Sequence, residues 1–269
     1  MEPFVSIILP TYNRAYVLWR AIQSVLAQTE PRWELLVVDD GSTDCTQRLL
    51  EEFRDPRITS IRTENAGPSA ARNAGLDRAA GDYVAYLDSD NAWRDSFLER
   101  VLSATRAHPD DVLWYCGASI TFWERDATGR WRRIEHTDEL RRQYSLDDVW
   151  KLKCPDTNGI LHRRGIAREV GGWDEDCRWL EDWDFFVRVA LRYPDRTRWV
   201  PHILVDYRQV HGEGADGLCA QAREDGEAEV TGRRYLLDKW GAHPDFDARD
   251  KLDVTPDALP KLRVKEGDE

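Results

Sequence analysis

Residues 4–87 alternate between short apolar blocks and stretches with a helical beat. Phe4 to Leu9, FVSIIL, has the pattern of a strand buried on both faces. Behind it Leu18, Ala21, Ile22, Val25 and Leu26 recur on one helical face, and Asn13 stands where an N-cap belongs. Glu34 to Val38, ELLVV, is a second buried strand. Asp44 with Gln47 three residues on marks a helix start, which Leu49, Leu50 and Phe53 make amphipathic. Ile58 to Arg62 gives a third strand. Gly67 and Pro68 open a helix with proline at its first position. Gly81 ends that helix, and Tyr83 to Leu87 is a fourth strand. This order predicts an α/β fold with a mostly parallel central sheet flanked by helices.

The second half is less regular. Val112 to Trp123 reads as a long strand, Gly129 to Arg142 as charged and exposed, and Trp199 to Tyr207 as another strand. Glu181 to Leu191 reads as a helix whose acidic first turn suits the helix dipole. From Gly212 the chain turns polar, with a helical stretch at Glu227 to Trp240. The division expected is one domain over 1–211, split into halves 1–92 and 93–211, and a C-terminal extension over 212–269.

Bulk properties narrow the partners. A net charge of -12, from 38 basic and 50 acidic residues, argues against a general nucleic-acid binder. The five cysteines form no CxxC pair, which fits a reduced, cytoplasmic setting. The N-terminus lacks the features of a signal peptide, and no apolar run approaches the roughly 18 residues of a membrane span. The reading is a soluble chain.

No GxGxxG follows the first strand and no GxxxxGK[ST] occurs, so dinucleotide and P-loop chemistry lose their main support. Ligands of open α/β sheets bind beyond the carboxyl ends of strands. Three polar clusters fall there: Pro10-Thr11-Tyr12, Asp39-Asp40-Gly41-Ser42 and Asp88-Ser89-Asp90. Asp88 and Asp90 repel each other unless a cation or water intervenes. They make either an Asp-rich turn or a seat for a divalent metal against a phosphate.

VSIILPTYNRAYVLWRAIQSVLAQ, ELLVVDDGSTD, NAGPSAARNAGL and GDYVAYLDSDN resemble the opening of family 2 glycosyltransferases of the GT-A fold. GGWDE and LEDWDFFVR resemble that family's acceptor half, so the likeness spans about residues 4–211. The resemblance implies an inverting transferase that moves one sugar from a nucleotide-sugar donor. It gives Pro10, Thr11 and Tyr12 to the base, Asp40 to the uracil N–H, and Arg72, Asp88 and Ser89 to the rest of the nucleotide. A surface salt bridge is the plain alternative for Arg72, and Asp39 reads as structural. Asp90, with Asp88 and His211, would hold Mn2+ or Mg2+. Asp182 would be the catalytic base and Glu181 its helper. Trp183 and Trp179 would face an acceptor sugar, with Trp173 as a further flat surface. UDP is the donor nucleotide expected, with dTDP and GDP open. The family's polymer synthases carry QxxRW after the ED pair; this chain does not, so a single addition is expected. The acceptor is a glycan, glycolipid, protein or small metabolite, no nucleic acid is involved, and a homodimer stays open. Peripheral attachment at the inner membrane face is compatible. The rival readings are a catalytically silent nucleotide-sugar module and a sugar-phosphate nucleotidylyltransferase.

Overall fold

The predicted alternation is present in the computed structural model, which describes residues 5–125, 130–139, 143–151, 153–211, 227–244 and 246. In the first half β1 (Val5–Thr11), β2 (Trp33–Asp39), β3 (Ile58–Arg62) and β4 (Tyr83–Tyr86) alternate with α1 (Ala15–Leu26), α2 (Thr46–Leu50) and α3 (Pro68–Arg78). The second half adds β5 (Ala92–Trp93), α4 (Phe97–Ala107), β6 (Leu113–Arg125), β7 (Trp131–Glu139) and α5 (Leu146–Trp150). A 3-10 turn (Thr157–Gly159) leads into β8 (Ile160–Arg163) and α6 (Arg164–Glu169). The described chain ends with α7 (Glu181–Arg192), β9 (Thr197–His211) and α8 (Glu227–Trp240).

Among the described residues nine strands form one sheet in the order β3-β2-β1-β4-β8-β6-β9-β5, with β7 on the side of β6. The parallel arrangement predicted holds from β3 to β4. Beyond it the sheet is mixed: β8 runs antiparallel to both β4 and β6, and β9 parallel to β6. Because β8 is antiparallel to β4, the start of β8 lies at the end of β4. That reversal brings the 3-10 turn to the tip that carries Asp88.

Successive β1 residues feed opposite layers. Ile7 and Leu9 pack with Leu18, Ala21, Ile22 and Val25 of α1, while Ile8 packs with Ala71 and Leu76 of α3. Both faces are covered, so β1 shows no polar alternation. The α3 layer sits so close that a Cβ on Gly75 would come within 2.5 Å of Ile8 Cγ2. On the same side α8 is tied down: Lys239 pairs with Asp184 at 2.8 Å, and Trp240 Nε1 donates to the same carboxylate. Among the described residues no helix is long and apolar enough to cross a membrane.

Two local expectations change. Asn13 does not cap α1; it takes a left-handed φ of 52°, and its Oδ1 accepts the N–H groups of Thr43 and Asp44. Asparagine tolerates that backbone because its short amide bonds locally. Asp44 instead accepts the N–H of Ala15, the first residue of α1, and also the N–H of Thr46. The charged stretch 129–142 is exposed in its described part, as expected, but it forms β7, held by long pairing with β6.

Candidate functional site

β1, β2 and β4 run parallel, so Thr11, Asp39 and Asp88 emerge at one end of the sheet. Asp39 is wholly buried; its Oδ1 accepts the Ser42 N–H and its Oδ2 the Gln47 amide, a structural part as expected. The Asp40 carboxylate holds the loop before α3: Oδ1 accepts from Ala66 N–H at 3.0 Å and Thr63 Oγ1, and Oδ2 from Gly67 N–H at 2.8 Å. Among the described residues one acceptor position on Oδ2 has no donor. Gly67 carries φ 99°, which few other residues adopt. Pro10, Thr11 and Ser89 are buried, while Tyr12 is 46% exposed, so its ring is open to a ligand. The buried hydroxyls of Thr11 and Ser69 and the Nε of Arg72 have no hydrogen-bond partner among the described residues. Orphans at the end of β1 and in the first turns of α3 suit a ligand that completes them.

The Asp88 turn is organised by residues from three other segments. Arg72 donates to Asp88 Oδ1 at 3.0 Å and, through its other nitrogen, to Glu181 Oε1 at 3.0 Å. It is buried and lies over the Trp173 ring, so it is not the surface salt bridge that the sequence left open. Burial works against its charge, but Asp88 and Glu181 outweigh burial and hold the guanidinium charged. Asn158, in the 3-10 turn, accepts the Asp88 N–H and donates to both Asp88 Oδ2 and Asp156 Oδ1. Arg14, just before α1, donates to Asp90 Oδ2 at 2.7 Å. Burial raises the Asp90 pKa; Asp88 adds to the rise and Arg14 opposes it.

Leu180 enters α7 in the left-handed region, φ 55°, a conformation that costs energy for a branched residue. It delivers Glu181 and Asp182 into the first turn of the helix. Burial, then Glu181, then Asp156 push the Asp182 carboxyl up to about 7. A carboxylate that titrates there can take a proton near neutral pH. Glu181, Arg72, Asp88, Asn158 and Asp156 thus join the two halves of the chain in one bonded string beside Asp182.

For a metal, the turn after β4 offers two hard carboxylates, Asp88 and Asp90. Among the described residues no cluster of three or more His, Cys, Asp or Glu is placed to hold one. Asp88 and Asp90 alone fit Mg2+ or Mn2+ provided that phosphate oxygens and water fill the rest of the shell, the usual arrangement for Mg2+. His211 ends β9 opposite Glu124, and its side chain lies outside the described residues.

The tryptophans are corrected in part. Trp183 is wholly buried and donates its Nε1–H to Val149 O; Trp173 is stacked on Phe185 inside the core. Neither is open to a ligand: the apolar side of α7 packs inward and takes Trp183 with it, and Trp173, from the loop before α7, is covered by Phe185 of that helix. Trp179 is half-buried, with Arg233 over its ring at 4.6 Å. Arg14, Asn158 and Asp156 were missed. The basic residue directly after the PTYN tip was the one sequence signal for Arg14. Asp156 to His162, DTNGILH, reads in the sequence as a strand and loop below the acceptor, with no role beyond shaping the pocket.

The profile described as Glycosyl transferase family 2 matches residues 6–169. The uncharacterized glycosyltransferase alr2836 of Nostoc sp. is 41% identical over 237 residues, 84% of this chain and 70% of that protein. WfgD of Escherichia coli, a UDP-Glc:alpha-D-GlcNAc-diphosphoundecaprenol beta-1,3-glucosyltransferase, is 46% identical over 100 residues, 37% of this chain and 40% of its own. TuaG of Bacillus subtilis is 44% identical over 104 residues, 38% of this chain, and the match spans only 41% of TuaG. Among solved structures, TarS of S. aureus in complex with UDP-GlcNAc superposes with a TM-score of 0.62 at 19% identity, over 96% of this chain and 78% of that one. The mannosyltransferase PcManGT of Pyrobaculum calidifontis, in complex with GDP-Man and Mn2+, gives 0.64 at 20% identity over 100% and 77%.

Proposed function

Since the chain belongs to glycosyl transferase family 2, we propose that it moves a single sugar from a nucleotide-sugar donor to an acceptor hydroxyl, inverting the anomeric carbon. The observation that carries this reading is Arg72, which ties the donor-side Asp88 to the acceptor-side Glu181 beside a carboxylate poised near 7.

The exposed Tyr12 ring stacks on the base, a contribution of about 1–3 kcal/mol. Pro10 and Thr11 frame that base, and the orphan Thr11 hydroxyl gains a partner. Asp40 accepts the uracil N–H on its free position, and Asp88 and Ser89 face the ribose. Asp90 and Asp88 would hold Mn2+ or Mg2+, which when bound neutralises charge on the leaving diphosphate. Asp182 takes the proton of the incoming hydroxyl while the nucleotide leaves from the opposite face, and this opposition produces inversion. The proton then passes from Asp182 to water. Glu181, fixed by Arg72, orients the acceptor. Trp179 is the one expected acceptor-side tryptophan with ring surface left to offer.

UDP is the preferred nucleotide because Asp40 suits uracil and because WfgD and the TarS complex are described with UDP-sugars. GDP, bound by PcManGT, is the alternative. The test is to mix the chain with UDP-sugars and Mn2+ and follow UDP release, then read the configuration of the product by NMR. Release that Asp182→Asn reduces at least a hundredfold supports the reading. UDP binding without release points to a silent module, and a retained configuration removes the inverting mechanism.

A further inference from the structure

A cavity of about 360 Å³ opens between α1 and the strands β6, β7 and β9. Arg20 from α1, Arg94 after β5, Arg133 from β7 and Arg208 from β9 line it. In a chain of net charge -12, four guanidinium groups at one opening run against the bulk balance. Like charges gathered this way repel unless anions join them. Two carboxylates are present in the lining. Asp206 lies 3.6 Å from Arg94, and Asp138 lies 3.4 Å from His136. Among the described residues neither Arg20 nor Arg133 has an ion-pair partner.

Arg20 and Arg133, without an ion-pair partner among the described residues, bring about two positive charges to the opening. A phosphate ester, with about -1.5 to -2 at neutral pH, balances that excess; a single carboxylate does not. Guanidinium forks also match phosphate oxygens in pairs. The lining is polar elsewhere too: the Ser119 hydroxyl donates to Asp138 at 2.8 Å and Thr121 Oγ1 meets His136 Nδ1 at 3.3 Å. The cavity is large enough for a small charged ligand.

The pocket adjoins the candidate active site. The backbone N–H of Arg208 donates to Asn91 Oδ1 at 2.8 Å, one residue beyond Asp90. Burial and the field of Arg20 lower the pKa of the Arg208 guanidinium, Arg14 adds to the fall, and Asp90 only partly offsets them.

We propose that this pocket is a second anion site, which takes a phosphate or diphosphate group carried by the acceptor. The proposal rests on the transferase reading and deepens it by naming the acceptor's chemistry.

The test is calorimetric titration of inorganic pyrophosphate into the full chain already saturated with UDP. The expected result is one further binding event, weakened about tenfold by Arg20→Gln and by Arg133→Gln, the usual loss for one charge-assisted contact. Three results overturn the proposal: no event beyond UDP, displacement of UDP one for one, or unchanged affinity in both variants. Two arms separate the sources of the phosphate: a soluble hexose 1-phosphate, and vesicles containing phosphatidic acid compared with neutral vesicles. Binding in either arm that depends on Arg20 and Arg133 supports the site and identifies its carrier; dependence in neither overturns it. UDP binding by the wild-type chain, read by tryptophan fluorescence, tests the donor reading separately, so one failure is not mistaken for the other.

Discussion

At the scale of single residues, Asp182 makes the sharpest claims. If it is the base, turnover must rise with pH through about 7, where its carboxyl ionises. A pH profile of kcat/KM checks this, and Asp182→Asn must be low and flat. The same shift acts on stability with the opposite sense. The folded pKa of about 7 lies above the ordinary aspartate range, so the contribution is present in acid and is lost as pH rises through 7. Wild-type melting temperature should therefore fall between pH 5 and 8 on this account, and Asp182→Asn should lessen the fall. A second residue prediction concerns His162, buried and held neutral, with its pKa pushed down to about 4 by burial. Its Nδ1–H donates to Arg163 O, so Nε2 accepts from Tyr86 Oη at 3.0 Å. Tyr86→Phe leaves that nitrogen buried without a donor and should cost about 1–3 kcal/mol in urea unfolding. Asp88, Asp90 and Asp182 were legible because each sits in a short motif at a strand end or helix start. Asn158 was not, because it meets Asp88 across 70 positions of sequence. Only the sheet's reversal between β4 and β8 makes that meeting.

Elements were legible in proportion to how local their contacts are. Each unit of the first half forms from neighbouring segments, so its apolar periods appear directly in the sequence. β5 has two residues and forms only against β9, more than a hundred positions away, so no period betrays it. β7 is polar and exposed, with nothing to mark it but its pairing with β6. The Trp183 misreading arose at this scale: aromatic residues after an ED pair suggest a binding face, but in α7 they are the buried stripe. The packing of α3 on β1 gives an element-scale prediction. Gly75→Ala would drive a methyl into Ile8, within 2.5 Å of its Cγ2. Overpacking of this kind costs about 1–3 kcal/mol, and since α3 carries Arg72 the shift should reduce turnover as well as stability. Denaturant melts and initial rates measured on one preparation check both.

For the molecule as a whole, fold and family emerge from the sequence with little loss, while the acceptor side rests on chain-distant pairings. Ligand binding at the strand tips should be felt globally. If UDP is the nucleotide bound, at a hundred times its Kd it should stabilise the native state by about 2.7 kcal/mol, several degrees in Tm for a chain of this size. Thermal melts with and without UDP measure it. Asp40→Ala should abolish the increment, and because it also frees the loop before α3 it should lower the melting temperature without ligand.

One guanidinium divides its two arms between Asp88 and Glu181. A cation held at Asp88 would take over part of the charge there, so that arm would be relieved and the grip on Glu181 would tighten. Under the proposed transferase reading, loading the nucleotide would then prime the acceptor side, and the expected outcome is a sequential reaction with the donor bound first. Product-inhibition patterns check it: the nucleotide should leave last.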